Sequence, residues 1–252
     1  MIDHAERDLE EKMIELQSRG YCVLRNLFET SLIEGCRDTF LPVLLSYLET
    51  NANKPNRGVN RHFLPMPFDP PCFVSEFFFN EFVVGLVERT LGKRIVIDQW
   101  GCDIPLPGAD YQSVHVDYQR PLFSESPDLL LPPYMLVVSF GLVPISAENG
   151  AIEIAPGSHL VPQKKAMQAV ETGDIKLESI PLNLGDVLIR HPWVMHRGTP
   201  NKTSQSRPLV SMRYVRHWYC DNSREVNSIS QSVWTSLSSK QQNMMRFPIS
   251  HC

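Results

Sequence analysis

The chain has 252 residues, 42% of them hydrophobic, which is enough for one large domain with a sizeable core. A formal net charge of −4 and an isoelectric point of about 6.1 exclude the basic excess that is typical of nucleic-acid-binding proteins. No apolar run approaches the roughly 20 residues of a membrane span, and six cysteines lack a CxxC spacing, so we expect a cytoplasmic protein with reduced thiols and no membrane partner.

The N-terminal part is predicted to be helical. Residues 4–20 predict a helix that ends at Gly20, and residues 21–28 alternate like a short strand. A second helix is predicted over 30–50, with Thr30 or Ser31 as its N-cap, and a third over 74–92. Residues 51–73, rich in Asn and Pro, predict a long loop of the kind that often forms a functional lid.

From residue 94 the pattern changes to short strands at close spacing, followed by a final helix over 226–246. The predicted strands cover 94–105, 112–119, 134–143, 151–155, 177–182, 186–190, 193–198 and 208–218. The insertion at 123–133 predicts no element. This pattern indicates a mainly β fold with flanking α-helices, a jelly roll in which antiparallel strands form a sandwich or barrel. We expect one domain over 1–252, with a helical part (1–93), a jelly-roll core (about 94–218) and a C-terminal tail (219–252).

The stretch YQSVHVDYQRP, residues 111–121, places His115 and Asp117 two positions apart. In a strand these side chains point to the same face, so they can offer an imidazole and a carboxylate to one cation. The alternative is an exposed polar edge. A third ligand could be His159, His191, His196 or His217, and His196 is favoured because it follows the apolar strand DVLIR. Two histidines and one carboxylate on one face of a metal are typical of non-haem Fe(II) oxygenases, which leave three positions for a 2-oxo acid and dioxygen.

Arg207 lies eleven residues after His196, past a turn and at the start of the next predicted strand. Its planar fork of donors suits the distal carboxylate of a 2-oxo diacid. A surface arginine is the alternative, but a buried arginine without an anion would be costly.

Five segments in order resemble the phytanoyl-CoA dioxygenase family of Fe(II)/2-oxoglutarate oxygenases over about residues 95–216. They are HVD (115–117), ENGAIEIAPGSH (148–159), GD (185–186), HRGTPNKTSQSR (196–207) and Tyr214. The resemblance implies a double-stranded β-helix, a cupin-like fold. It also implies His115, Asp117 and His196 as catalytic iron ligands and Arg207 as the anchor of 2-oxoglutarate, with dioxygen as the oxidant.

The resemblance further implies Gln112, Gln99 and Ser139 as residues near the co-substrate. Many relatives carry a small polar residue where this chain has Gly198, so any hydroxyl contact would have to come from Thr199 or be absent. Related iron halogenases lack the ligand carboxylate, so Asp117 argues against halogenation. His159 is expected to pack near the site, and His191 to lie in a turn or at the surface.

For the substrate, the loop 56–63 offers contacts to an anionic small molecule if it closes over the barrel mouth, although a solvated loop is the alternative. The candidate substrate residues are Arg57, Arg61, His62, Trp100 and Arg213, with Tyr118 and Phe123 as further pocket residues. We expect a small polar metabolite or natural product rather than a CoA thioester.

The sequence thus predicts a dioxygenase that oxidises a C–H bond of a small molecule and releases succinate and CO2. Hydroxylation is the expected outcome, and desaturation, ring closure or demethylation follow if the substrate radical or its hydroxylated product reacts differently. Two alternatives stay open. One is a cupin-like metal-dependent hydrolase or isomerase, which would not need Arg207. The other is a non-catalytic binding barrel with a decayed site.

Overall fold

The computed structural model describes residues 4–117, 132–220 and 226–250. The helices are α1 (His4–Arg19), α2 (Thr30–Asn51), α3 (Ser75–Phe79), α4 (Glu81–Leu91), α5 (Gln163–Thr172), α6 (Gln231–Ser236) and α7 (Ser239–Met244). The strands are β1 (Tyr21–Leu24), β2 (Arg61–Pro65), β3 (Ile95–Pro105), β4 (Met135–Gly141), β5 (Ile152–Ile154), β6 (Glu178–Ile180), β7 (Val187–Arg190), β8 (His196–Arg197), β9 (Leu209–Arg216), β10 (Ile229–Ser230) and β11 (Ile249–Ser250).

Two sheets form the barrel. The major sheet has the order β1-β7-β4-β9-β3-β2, and each neighbouring pair is antiparallel. The minor sheet has the order β6-β5-β8, also antiparallel. Strands that are distant in sequence lie side by side in both sheets, which is the pattern of a double-stranded β-helix. The predicted fold class, mainly β with flanking helices, is therefore confirmed.

An aromatic core joins the N-terminal helices to the outer face of the major sheet. The ring of Phe78 in α3 lies 4.6 Å from that of Trp100 in β3, and the ring of Phe77 lies 4.8 Å from that of Phe140 in β4. All four side chains are buried. Each buries a large apolar surface, worth on the order of 1.5–3 kcal/mol, so these contacts fix the helical layer on the sheet.

The N-terminal part differs from the prediction at three points. The predicted loop 51–73 contains β2, which pairs with β3 as an edge strand. The predicted helix 74–92 is two helices, because the Asn80 side chain accepts hydrogen bonds from the amides of Phe82 and Val83 and so caps α4. The N-cap of α2 is Glu29 rather than Thr30 or Ser31.

The later part differs as well. Helix α5 was not predicted, and the predicted final helix is divided into α6 and α7. Residues 118 and 119 of the predicted strand 112–119 lie outside the described residues, and the described part, 112–117, contains one isolated bridge, between His115 and His196. Most of the insertion 123–133 lies outside the described residues. Within the described ranges, no helix is both long and apolar enough to cross a membrane.

Asp186 ties β1 to the turn before β7. Its carboxylate accepts hydrogen bonds from the backbone amides of Asn26 and Asn183 and pairs with Arg25 at 2.6 Å, and its side chain is only 1% exposed. Burial alone would raise the pKa of Asp186, but the two amides and Arg25 outweigh it and lower the pKa. The folded state therefore favours the charged carboxylate.

We expect Asp186→Asn to lower the free energy of unfolding at pH 7 by about 1–3 kcal/mol, because buried amide donors lose a charged acceptor. Since the pKa of Asp186 is lower in the folded state, its contribution is fully present above the unfolded value of about 4 and is lost as the pH falls through the folded value. Denaturant unfolding at several pH values checks this. Asp38→Asn, which changes an exposed carboxylate beside Arg37, is the matched control. A deficit that persists unchanged at low pH would contradict the assignment.

Candidate active site

One pair of backbone hydrogen bonds places two histidines side by side. The amide of His115 donates to the carbonyl of His196 at 2.9 Å, and the amide of His196 donates back to the carbonyl of His115 at 2.9 Å. The two ring centroids lie 4.5 Å apart. The amide of Asp117 donates to the carbonyl of Pro192, so the backbone of the third candidate ligand is also held in place. One potential ligand atom from each of His115, Asp117 and His196 lies within 4.8 Å of the other two.

The histidine rings are oriented by backbone carbonyls. Nδ1–H of His115 donates to the carbonyl of Ser113 at 2.8 Å, and Nδ1–H of His196 donates to that of Val194 at 3.0 Å. Each Nε2 is thereby left with its lone pair toward the other ligands. Burial and the neighbouring His196 lower the pKa of His115 to about 4, so this imidazole is neutral at pH 7. Two imidazoles and one carboxylate are a donor set that fits non-haem Fe(II).

Arg190, at the end of β7, is a site residue that the sequence analysis missed. Its Nη1 lies 2.9 Å from Oδ2 of Asp117 and 3.0 Å from Nε2 of His196. Burial alone would raise the pKa of Asp117, but the charge of the neighbouring Arg190 outweighs burial and lowers it, so the carboxylate is charged. In the sequence, Arg190 only ends the apolar run DVLI, and no spacing rule links it to His115 or Asp117.

Arg207 is a buried cation with unused donors in the same pocket. Its Nη2 donates to the carbonyl of Gly150 at 2.8 Å, and the carboxylate of Asp103 is 3.7 Å away. Within the described part of the chain, Nε and Nη1 of Arg207 have no hydrogen-bond partner. Burial lowers the pKa of Arg207 to about 10, and Asp103 opposes that effect, so the side chain is protonated at neutral pH. An anion that reaches these donors would satisfy them.

The pocket lies between the two sheets and encloses about 800 Å³ of empty space, including its open mouth. Six charged side chains line it: the arginines are Arg57, Arg190, Arg207 and Arg213, and the acids are Asp103 and Asp117. Apolar side chains from both sheets complete the wall: Phe63, Met135, Val137, Ile152 and Leu209. The excess of cations over carboxylates favours an anionic ligand.

Three of the four further co-substrate candidates line this pocket. Gln99 and Ser139 face it from the major sheet, and Nε2 of Gln99 donates to Oγ of Ser211 at 3.0 Å. Gln112 also lines it. The expected hydroxyl contact from Thr199 is wrong, because this buried hydroxyl donates to the carbonyl of Ala151 at 2.7 Å and does not line the pocket.

The absence of a side chain at Gly198 leaves space that the side chains of Gln112 and Arg61 occupy. A Cβ atom at this position would lie 2.6 Å from Oε1 of Gln112 and 2.7 Å from Cζ of Arg61. Its amide donates to the same Gln112 oxygen at 3.0 Å. Packing therefore explains why this chain has no serine here.

The residues of the segment 56–63 point in different directions. The guanidinium of Arg57 lines the pocket and lies 4.8 Å from the centre of the Phe63 ring. Arg61 is buried, pairs with Asp103 at 2.9 Å and donates to the carbonyl of Thr199, so it belongs to the surroundings of Arg207 rather than to a lid. His62 points away from the pocket toward Tyr47, with ring centroids 5.6 Å apart, which corrects its expected substrate role.

The other substrate candidates differ in whether they line the pocket. Trp100 belongs to the outer core, where Nε1 donates to the carbonyl of Pro67, so its prediction as a pocket residue is wrong. Arg213 lines the pocket, but its guanidinium forms two hydrogen bonds with the Asp98 carboxylate at 2.7 and 2.8 Å, so its charge is already balanced. Tyr118 and Phe123 lie outside the described residues.

The remaining histidine candidates lie away from the three ligands. His159 and His191 pack together with ring centroids 4.8 Å apart, and both are buried. The carbonyl of His191 accepts a hydrogen bond from the amide of Val194, so His191 begins a turn as predicted, whereas the surface alternative is wrong. Nε2–H of His159 donates to the carbonyl of Gln17 at 3.0 Å. His217 is exposed beyond the end of β9.

Comparison with known proteins places this chain in a family. The model of the family "Phytanoyl-CoA dioxygenase (PhyH)" matches residues 16–209. "Dioxygenase lolE1" of Epichloe uncinata is 31% identical over 137 residues, which cover 51% of this chain and 49% of that protein. The chain thus aligns with about half the length of this curated relative.

Two solved structures share the fold. The non-heme alpha ketoglutarate dependent epimerase SnoN from nogalamycin biosynthesis has a TM-score of 0.65 at 17% identity, covering 87% of this chain and 91% of SnoN. The corresponding carbocyclase SnoK has a TM-score of 0.60 at 16% identity, covering 82% and 83%. SnoN has also been solved with Fe3+, alpha ketoglutarate and nogalamycin RO.

The match of the family model over most of the chain agrees with the histidine–aspartate–histidine cluster and the buried Arg207 in one pocket. The chain belongs to the phytanoyl-CoA dioxygenase family.

Proposed function

We propose that this protein hydroxylates a C–H bond of a small metabolite or natural product. The proposal rests on one observation: a three-ligand cluster and a buried arginine with two unused donors line the same pocket. In the proposed reaction, one atom of dioxygen enters the new hydroxyl group and the other enters succinate. The carboxylate next to the keto group of 2-oxoglutarate leaves as CO2, so atoms and electrons balance.

Each of the residues in the pocket would have a separate role. His115, Asp117 and His196 would hold Fe(II), and the carbonyls of Ser113 and Val194 keep the two rings in position. Arg207 would bind the distal carboxylate of 2-oxoglutarate through Nε and Nη1. Iron, when bound, supplies the dioxygen chemistry that oxidises the substrate.

The pocket walls support a role in excluding water. Met135, Val137, Ile152 and Leu209 line it with apolar surface between the charged groups. A dry pocket strengthens the electrostatic attraction between Arg207 and a carboxylate and protects reactive species from side reactions. Asp117 supplies the carboxylate ligand that halogenases lack, which supports oxygenation.

We propose a small polar substrate that carries an anionic group. Arg57 lines the pocket, and no acidic side chain within the described ranges pairs with it. Tyr118 and Phe123 stay candidate contacts. The resemblance to enzymes of nogalamycin biosynthesis supports a natural-product substrate. The buried thiols of Cys22, Cys36, Cys72 and Cys102 support a reducing, cytoplasmic setting.

A second outcome is proposed because of the solved relatives. SnoN is described as an epimerase and SnoK as a carbocyclase, so a shared fold serves outcomes other than hydroxylation. Desaturation or ring closure would follow here if the substrate loses a second hydrogen atom before it gains a hydroxyl group. Epimerisation leaves the substrate at its original oxidation level, so it would also consume two electrons from an external reductant such as ascorbate.

We expect the wild-type protein to form a weak visible charge-transfer band when Fe(II) and 2-oxoglutarate are added without oxygen. His115→Ala should abolish the band, because a ligand imidazole is removed. The exposed His217→Ala is the matched control and should retain it. Absence of the band in the wild type, or its persistence in His115→Ala, would reject the proposed iron site.

We expect Arg207→Ala to weaken 2-oxoglutarate binding by about 2–4 kcal/mol, because the distal carboxylate loses its charged partner. Arg207→Lys keeps the charge but not the fork of donors and should fall in between. Arg197→Ala is the control, since Arg197 pairs with Glu153 on the neighbouring strand and does not line the pocket. Titration of the charge-transfer band measures all four proteins. Equal affinity in Arg207→Ala and wild type would mean that another residue binds the carboxylate.

We expect a true substrate, in a screen of small anionic metabolites, to stimulate succinate release in a one-to-one ratio with product. Mass spectrometry then separates the outcomes: hydroxylation adds one oxygen atom, desaturation or ring closure removes two hydrogen atoms, and epimerisation leaves the mass unchanged. Succinate release without any change in the substrate would count against the proposed reaction for that compound.

A further inference from the structure

Arg190 occupies an unusual place for a strand residue. It pairs across the major sheet with Tyr21 of β1 and Val137 of β4, and its side chain enters the pocket with only 6% of the residue exposed. The contacts found for its guanidinium among the described residues are with Asp117 and His196. Nε of Arg190 has no hydrogen-bond partner there.

The contact with His196 uses a lone pair that a metal would need. Nδ1–H of His196 donates to the carbonyl of Val194, so Nε2 carries the lone pair, and Nη1 of Arg190 donates to it at 3.0 Å. A lone pair serves one partner at a time. Coordination of a metal by Nε2 therefore excludes this hydrogen bond.

The contact with Asp117 differs, because a carboxylate has two oxygens. Nη1 of Arg190 lies 2.9 Å from Oδ2, whereas Oδ1 lies 3.4 Å from Nε2 of His196. Oδ1 thus faces the other ligand, and Oδ2 faces the arginine. The guanidinium and a metal can share Asp117, one oxygen each, but two neighbouring cations repel each other in a buried pocket.

We propose that Arg190 is a positioning residue that restrains Asp117 to one ligating oxygen and competes with the metal at His196, so that it weakens metal binding. The proposal rests on the proposed metal site. The proposed role and a merely structural role predict opposite changes in metal affinity when Arg190 is replaced. Loss of a structural support would weaken metal binding, whereas loss of a competitor strengthens it.

The test is a titration of chelator-stripped protein with Mn(II) and, separately, Co(II). We expect Arg190→Met, which keeps a long side chain but removes the charge and the donors, to bind both metals about tenfold more tightly than wild type. Arg190→Lys keeps a charge in the pocket and should fall between the two. The Co(II) absorption spectrum should also change in Arg190→Met, because Asp117 can then use both oxygens.

The matched control is Arg197→Met, which also removes an arginine that pairs with a carboxylate, here Glu153 at 2.7 Å. Its metal affinity should equal that of the wild type. Equal or weaker metal binding by Arg190→Met overturns the proposal, as does an unchanged Co(II) spectrum. Should Arg190→Met fail to fold, Arg190→Gln carries the same test. No metal binding by the wild type would instead reject the proposed metal site.

Discussion

The site depends on one short stretch of backbone pairing. His115 and His196 are 81 positions apart in the sequence, yet two reciprocal backbone hydrogen bonds of 2.9 Å fix their separation. His196 belongs to a strand of only two residues, and His115 meets it at an isolated bridge. Because both rings are also held by backbone carbonyls, little side-chain freedom remains to be lost when a ligand binds.

Arginine–aspartate pairs hold the other charged side chains in and around the pocket. Arg213 is balanced by Asp98, and Arg61 shares Asp103 with Arg207. Asp103 therefore faces two buried guanidinium groups, and Arg207 keeps donors to spare. A buried cation with unused donors is costly, and a carboxylate-bearing co-substrate would relieve that cost.

The site was predicted best from motifs that are individually weak but occur in a fixed order along the chain. The spacing from His115 through His196 to Arg207 predicted the residues that meet in the pocket, although neither HxD nor one arginine is specific alone. The strand pattern predicted the jelly roll, because alternating apolar and polar residues indicate strands that bury one face. Helix α5 and strand β2 were missed, since their surroundings are rich in polar residues and in Asn and Pro, respectively.

Side-chain direction was harder to predict. Gln99 and Trp100 are neighbours in β3, so they point to opposite faces, and alternation alone does not say which face is the pocket. A register shift between Ile97 and Gln99 adds a further ambiguity. Arg190 was missed for a different reason: its partners are brought near only by the closed barrel.

The close packing around Gly198 also constrains how this pocket can diverge. Any side chain at 198 would overlap Arg61, whose guanidinium stands in the space that a Cβ atom would need. A homologous enzyme that carries serine at this position must therefore place a smaller or differently oriented residue at 61. The two positions are expected to change together, because a side chain introduced at 198 while Arg61 is retained would create a steric conflict rather than a new specificity.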